Sequence, residues 1–239
     1  MQDGLESVDI IAFGAHPDDV EIGAGGFLAK EAALGYKVGI VDLTRGEMGS
    51  RGTPDIRADE ADKAAKILGA TWRINLNMPD GMVNLEHENV MKAARIIRAC
   101  RPSIIVAPYW DDRHPDHVRT SQLVTEAHFK AGLKKLEPEL KAFRPNITLY
   151  YFLNRMEGYS FIVDTSHYYA QKQEAVAAHY SQFGDAGLKP LAVLGVKVPL
   201  QFIESRDRFQ GAQIGTAYGE AFLVRTPIPI DDPMKIWGD

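Results

Sequence analysis

The feature that most constrains this chain is an alternation of short apolar runs with helical patterns through its first half. "VDIIAFGA", "KVGIVDLT", "TWRINLN" and "RPSIIVAPYW" read as strands. Between them lie "GGFLAKEAALGY", "IRADEADKAAKILGA" and a helix in which Val90, Ala93, Ala94 and Ile97 fall on one stripe, and "VRTSQLVTEAHFKAG" follows the last strand. Near-continuous apolar strands separated by helices mean βαβ units, whose crossovers cover both faces of a parallel sheet. The expected fold is α/β, a Rossmann-like parallel sheet with helices on both faces. Past about residue 145 the pattern changes. Strand-like runs at Ile147 to Asn154 and Ser160 to Asp164 precede a helix from about Ser166 to Tyr180, a Gly/Pro-marked loop "FGDAGLKPLAVLGVKVP", and a helix near Phe202 to Gly215. The reading is a single domain over 1–239, with a core of about 1–145 and a C-terminal α/β extension of about 146–239.

Topology gives two nearly repeated phrases a common address. "AHPDD" (Ala15 to Asp19) follows the first strand and "RHPDH" (Arg113 to His117) follows the fourth. Open parallel sheets bind ligands outside the carboxyl ends of their strands, so both phrases face one edge. His and Asp are ligands suited to zinc, and catalytic zinc takes three protein ligands plus water. His16 and Asp19 are three apart, as are His114 and His117, a spacing that brings side chains to one side of a turn entering a helix. Each phrase alone also reads as an ordinary helix start, with Asp as N-cap after a turn proline. Their occurrence at two matching strand ends favours a metal site.

Other classes fit less well. A net charge of -5 lacks the basic excess of a nucleic-acid binder. No apolar run reaches the ~20 residues of a membrane span, and the start "MQDGLESVD" has no signal-peptide pattern, so a cytoplasmic location is expected. Cys100, the only cysteine, ends a helical pattern and reads as a buried inert thiol. The glycines of "GAGGFLA" miss the dinucleotide fingerprint, because Leu28 stands where the third glycine belongs, and they suit close helix packing instead. Tyr150, Tyr151 and Phe152 read as sheet core, and His87, His128, His167 and His179 as structural or surface residues. Glu47, in the loop beside the site, reads equally as a sugar contact or a solvated loop residue.

"AHPDDVEIGAGG" with "RHPDH" resembles the PIG-L/LmbE-type zinc N-deacetylases, which remove acetyl groups from N-acetylglucosamine conjugates. The similarity continues through "DLTRGEMGSRGT", "LNMPDG", "VAPYWDDRHPDH", "SQF" and "YGEAF". Among branches it looks most like the bacillithiol-pathway enzymes acting on N-acetylglucosaminyl-malate. The resemblance implies that His16, Asp19 and His117 hold the metal and that Asp18 is the general base. His114, when protonated, would stabilise the oxyanion, with Asp116 as an orienter. Arg57 matches a position on the acyl or carboxylate side of the substrate. Zinc is the implied cofactor, with ferrous iron an alternative because both accept two His and one carboxylate. The implied partners are a small N-acetyl amino sugar and further copies of the chain, a hexamer being the expected homo-oligomer. Some relatives carry a tyrosine after "SQF" that touches the carbonyl oxygen; no Tyr lies between Phe183 and Phe209 here.

Overall fold

The computed structural model describes residues 4–184 and 199–238. Most of the loop "FGDAGLKPLAVLGVKVP", where the resemblance leads one to look for the tyrosine, lies outside the described residues. The elements run β1 (Ile10–Gly14), α1 (Asp19–Ala33), β2 (Val38–Thr44), α2 (Pro54–Leu68), β3 (Trp72–Met78), α3 (His87–Cys100), β4 (Ile104–Pro108), α4 (Pro115–Ala131), β5 (Ile147–Tyr151), β6 (Phe161–Asp164), α5 (Tyr169–Ala178), α6 (Tyr180–Phe183), α7 (Pro199–Gln213), β7 (Gly219–Leu223) and α8 (Met234–Trp237). A 3-10 turn at Ser166–Tyr168 leads into α5.

The strands form one seven-stranded sheet in the order β3-β2-β1-β4-β5-β7-β6. β3, β2, β1, β4 and β5 are all parallel. β7 inserts antiparallel to both β5 and β6, which makes the sheet mixed. The extension thus continues the same sheet, and β7, built on "YGEAF", is a strand the apolar pattern does not announce. Burial explains the continuous apolar character of the central strands, since every residue of β1 and β2 is buried. One face packs α3 and α4, through Val90, Ala94, Ile97, Leu123 and Val124. The other packs α1, α2 and α5, through Val20, Leu28, Ala64, Leu68 and Ala175. Cys100 is buried in the first of these cores, as expected of an inert thiol, and burial pushes its thiol up to about 11. Tyr150, Tyr151 and Phe152 are likewise core. Among the described residues no helix is long and apolar enough to cross a membrane.

Two devices press the glycine-rich helix onto the sheet. A Cβ on Gly23 would stand 2.0 Å from the Tyr151 ring, so only glycine permits this approach. The Tyr151 hydroxyl then donates to the Phe13 carbonyl at 2.9 Å, anchoring the end of β1. From the other side Glu220 of β7 accepts the Gly26 and Phe27 N–H groups at 2.9 and 2.6 Å. Lys172 Nζ pairs at 2.6 Å with both Glu220 and Asp207, and all three side chains are buried. Buried charges persist only when paired in this way.

Candidate metal centre and active site

β1 and β4 are neighbours from which the sheet order grows in opposite directions, the switch point where open α/β sheets bind ligands. Gly14 ends β1, and residues 15–18 turn into α1; Thr44 Oγ1 at the end of β2 holds that turn by donating to the Ala15 carbonyl at 2.9 Å. Pro108 ends β4, and α4 starts at Pro115, where the missing N–H of proline costs nothing.

The helix-start reading of the two phrases meets a specific test at their caps. Asp18 occupies the N-cap position of α1 but caps no N–H group. Its backbone is at φ 144°, a region costly for any residue with a Cβ, and such strain gathers at functional sites. In the second phrase the cap is His114, whose Nδ1 accepts the Asp116 N–H at 3.2 Å. Nδ1 is therefore an acceptor, and the proton of a neutral His114 sits on Nε2.

His16, Asp19 and His117 converge. His117 Nε2 lies 3.2 Å from Asp19 Oδ1, and His16 Nδ1 lies 3.4 Å from Asp19 Oδ2. Asp19 is itself fixed, because Oδ2 accepts the Ala15 and His16 N–H groups, both at 2.9 Å. A tetrahedral zinc with ~2.0–2.1 Å bonds separates its ligand atoms by about 3.3 Å, and each histidine stands near that distance from Asp19, though through different carboxylate oxygens. The remote ring nitrogens supply a second test. His16 Nε2 faces Asp80 Oδ1 at 3.0 Å and Asp116 Oδ2 at 3.5 Å, and His117 Nδ1 faces Asp112 Oδ1 at 3.1 Å. A carboxylate behind each imidazole is the usual support of a metal-ligating histidine, fixing the tautomer and leaving the other nitrogen for the ion. Ring nitrogens of His16, His114 and His117 also lie within 4.8 Å of one another, as do donor atoms of His16, Asp80 and Asp116. In that second group the carboxylates sit on the remote nitrogen of His16 and accept main-chain N–H groups, Asp80 from Met48 at 2.9 Å and Asp116 from Gly81 at 2.7 Å. They are outer supports.

The field at the site is that of an acidic cluster. Burial opposes charge on His16, yet Asp19, Asp116 and Asp80 push it up to about 12. Burial likewise opposes charge on His117, which Asp19 and Asp112 push up to about 9. Burial pushes Asp18 up to about 6 against the opposing Arg57 guanidinium. His114 is lowered, by burial and by the neighbouring His117 and His16 charges. The carboxyl of Asp19 is held well below the ordinary range; burial works against this, and the His117 and His16 charges prevail.

The two phrases place Asp18, His114 and Asp116 around the same three residues. The Asp116 carboxylate turns to His16, and only its backbone N–H meets His114. Arg57 is buried. Its Nη2 donates to the Pro17 carbonyl at 3.0 Å and to Asp18 Oδ2 at 3.3 Å, and its Nη1 donates to the Gly46 carbonyl at 3.0 Å. Nε finds no acceptor among the described residues. Glu47 is exposed in its loop, and its Oε1 accepts the Asp80 N–H at 2.9 Å. His128 bonds Thr148 and Pro145, and His179 lies buried 3.4 Å from Glu21, so both are structural. Sequence reasoning missed Asp80 and Asp112. "LNMPDG" and "WDDRHPDH" contain them, but only the search for a carboxylate behind each histidine could have singled them out.

Known proteins share the fold, and a family model spans the segment that carries both phrases. Residues 11–128 match the family described as PIG-L, GlcNAc-PI de-N-acetylase. The chain is 39% identical over 119 residues, 47% of this chain and 64% of the other, to "Uncharacterized deacetylase YaiS" of Escherichia coli K12. The chain spans about half to two thirds of the length of the first curated relatives it matches. Among solved structures, the conserved protein TT1542 from Thermus thermophilus is 38% identical with a TM-score of 0.84, covering 93% of this chain and 97% of that one. The N,N'-diacetylchitobiose deacetylase from Pyrococcus horikoshii is 26% identical with a TM-score of 0.79, covering 90% of this chain and 82% of that one. Family match, shared fold and a site at the two matched phrases agree: this chain belongs to the PIG-L family.

Proposed function

We propose that the chain is a metal-dependent N-deacetylase that hydrolyses the acetamide of an N-acetylglucosamine conjugate. The observation that carries this reading is that the Asp19 carboxylate meets His16 Nδ1 through Oδ2 and His117 Nε2 through Oδ1, beside an Asp18 that caps no helix. His16, Asp19 and His117 would hold a zinc or ferrous ion. When bound, the ion supplies Lewis-acid polarisation of the amide carbonyl and acidification of water.

The chain's own residues do the rest. Asp18 accepts the proton of the attacking water as general base, and the Arg57 contact fixes the direction of its carboxylate. A carboxyl pushed up to about 6 can also hand that proton on to the departing amine. His114 faces the developing oxyanion as a donor. The Asp116 N–H on Nδ1 makes Nε2–H available without an imidazolium, and the depressed basicity of His114 favours that neutral form over the cation expected from sequence. Such a donor is worth ~3–4 kcal/mol to the transition state. Arg57 is the proposed substrate contact: with three of its five donors committed and Nε enclosed, one Nη1–H remains for an acyl or carboxylate oxygen.

The substrate we favour is N-acetylglucosaminyl-malate, the bacillithiol precursor, handled in the cytoplasm by a homo-oligomer. A chitooligosaccharide is the second reading, supported by the likeness to the diacetylchitobiose enzyme of Pyrococcus horikoshii. Chelation followed by zinc or ferrous add-back, with free amine assayed on N-acetylglucosaminyl-malate, diacetylchitobiose and N-acetylglucosamine, tests all of this. Amine release restored by metal and greatest on the malate conjugate is expected. No release on any of the three would refute deacetylation, and a preference for diacetylchitobiose would move the assignment to the second reading.

A further inference from the structure

The supports of the two metal-facing histidines are built differently. Behind His16, Asp80 and Asp116 are held by main-chain N–H groups of Met48 and Gly81. Behind His117 stands Asp112, which accepts four donors. The His114 N–H reaches Oδ1 at 2.8 Å, His117 Nδ1 lies 3.1 Å from the same oxygen, and Asn154 Nδ2 reaches it at 2.9 Å. The Asn154 backbone N–H reaches Oδ2 at 3.0 Å. Two of these four donors belong to one residue, in the segment after β5. Asp112's side chain is only 2% exposed, whereas Asn154 is exposed.

A carboxylate behind a ligating imidazole fixes the ring and raises its basicity only while the carboxylate itself keeps one rotamer. The His114 N–H can hold one oxygen of Asp112 but leaves rotation about that contact; the Asn154 amide and backbone N–H together grip both oxygens. We propose that Asn154, acting through Asp112, positions His117 and so sets the chain's affinity for its divalent metal. Asn154 is a positioning residue, an exposed one whose side chain and backbone both grip a metal ligand's support. The proposal rests on the metal-centre reading above.

The test is zinc affinity of the metal-stripped full chain, by competition with a chromophoric chelator. Asn154→Ala should raise the zinc Kd about tenfold, at the low end of the 10–100-fold loss typical of outer-shell partners. The Tm of the metal-free protein should stay unchanged, because the Asn154 backbone contact survives the substitution. The isosteric Asp112→Asn should raise Kd by more, and adding Asn154→Ala to it should change Kd less than twofold, since residues in one network are not additive. An unchanged Kd in Asn154→Ala, with or without a fall in Tm, overturns the proposal, as does the same tenfold loss in the Asp112→Asn background. A wild-type chain that takes up no zinc overturns the metal reading and this proposal together; wild-type uptake with an indifferent Asn154→Ala overturns this proposal alone.

Discussion

His117 Nε2 and Asp19 Oδ1 face each other across 3.2 Å, one carried by the helix after β4 and the other by the helix after β1. Neither atom is fully occupied by the protein's own hydrogen bonds. His117 uses its other nitrogen on Asp112, and Asp19 uses its other oxygen on the Ala15 and His16 N–H groups. Two fixed atoms so placed are what the proposed ion site requires.

Removing a ligand and removing the base should therefore have separable effects. His117→Ala is expected to lose stoichiometric metal by elemental analysis. Asp18→Asn should keep the metal and lose 10²–10⁴-fold in kcat, the range of a general base. Equal metal loss in both variants would contradict the division of roles.

Metal uptake should depend on pH in a definite sense. In the metal-free chain His16 is pushed up to about 12 and His117 to about 9, so both hold protons at neutral pH, and an incoming ion must displace them. Zinc affinity should rise with pH, with about two protons released per ion below pH ~9. The metal-free fold moves the other way. A histidine raised by folding contributes stability fully present below its unfolded value of about 6.5, and that contribution fades as pH climbs through the folded value. The Tm gain on adding zinc should thus widen from pH 6 to pH 9. Calorimetry in buffers of different ionisation enthalpy counts the protons, and a release near zero would contradict this picture.

Arg57 offers a test of the substrate. Its bond to Asp18 means that Arg57→Ala should lower kcat on every substrate. If its uncommitted donor reaches a malate carboxylate, KM should rise more for N-acetylglucosaminyl-malate than for N-acetylglucosamine. Equal KM changes would place malate elsewhere.

The close approach of α1 to the sheet predicts a stability effect. Gly23→Ala must displace the Tyr151 ring, which a Cβ would meet at 2.0 Å. Overpacking of this kind costs roughly 1–3 kcal/mol, about 2–12 °C in Tm for a chain of this size. A thermal melt of the metal-free variant with no fall in Tm would show that the ring can move aside freely.

Much of this was legible from residue types and spacing. The α3 stripe of Val90, Ala94 and Ile97 packs as its period requires, and the strand-end address of "AHPDD" and "RHPDH" brings His16, Asp19 and His117 together. What escaped depends on side-chain direction or distant partners. Asp18 has the right chemistry for a helix cap, and only its φ of 144° and the absent capping bond show that it does not serve as one. Asp80 and Asp112 read as two among many loop acids, because nothing local says which carboxylate turns toward an imidazole. β7 was missed for a similar reason. A strand with Glu220 in it does not look buried until Lys172, Gly26 and Phe27 supply partners from other parts of the chain.

The grip of Glu220 on α1 bears on how the protein matures during synthesis. All the proposed ligands lie within residues 11–128, the stretch that matches the family. Yet the helix that begins with Asp19 is secured by a carboxylate made 194 residues after the Gly26 it holds. A nascent chain that has emerged only as far as α4 holds every proposed ligand but lacks that anchor, so loading with the ion should wait until β7 has been made and has docked.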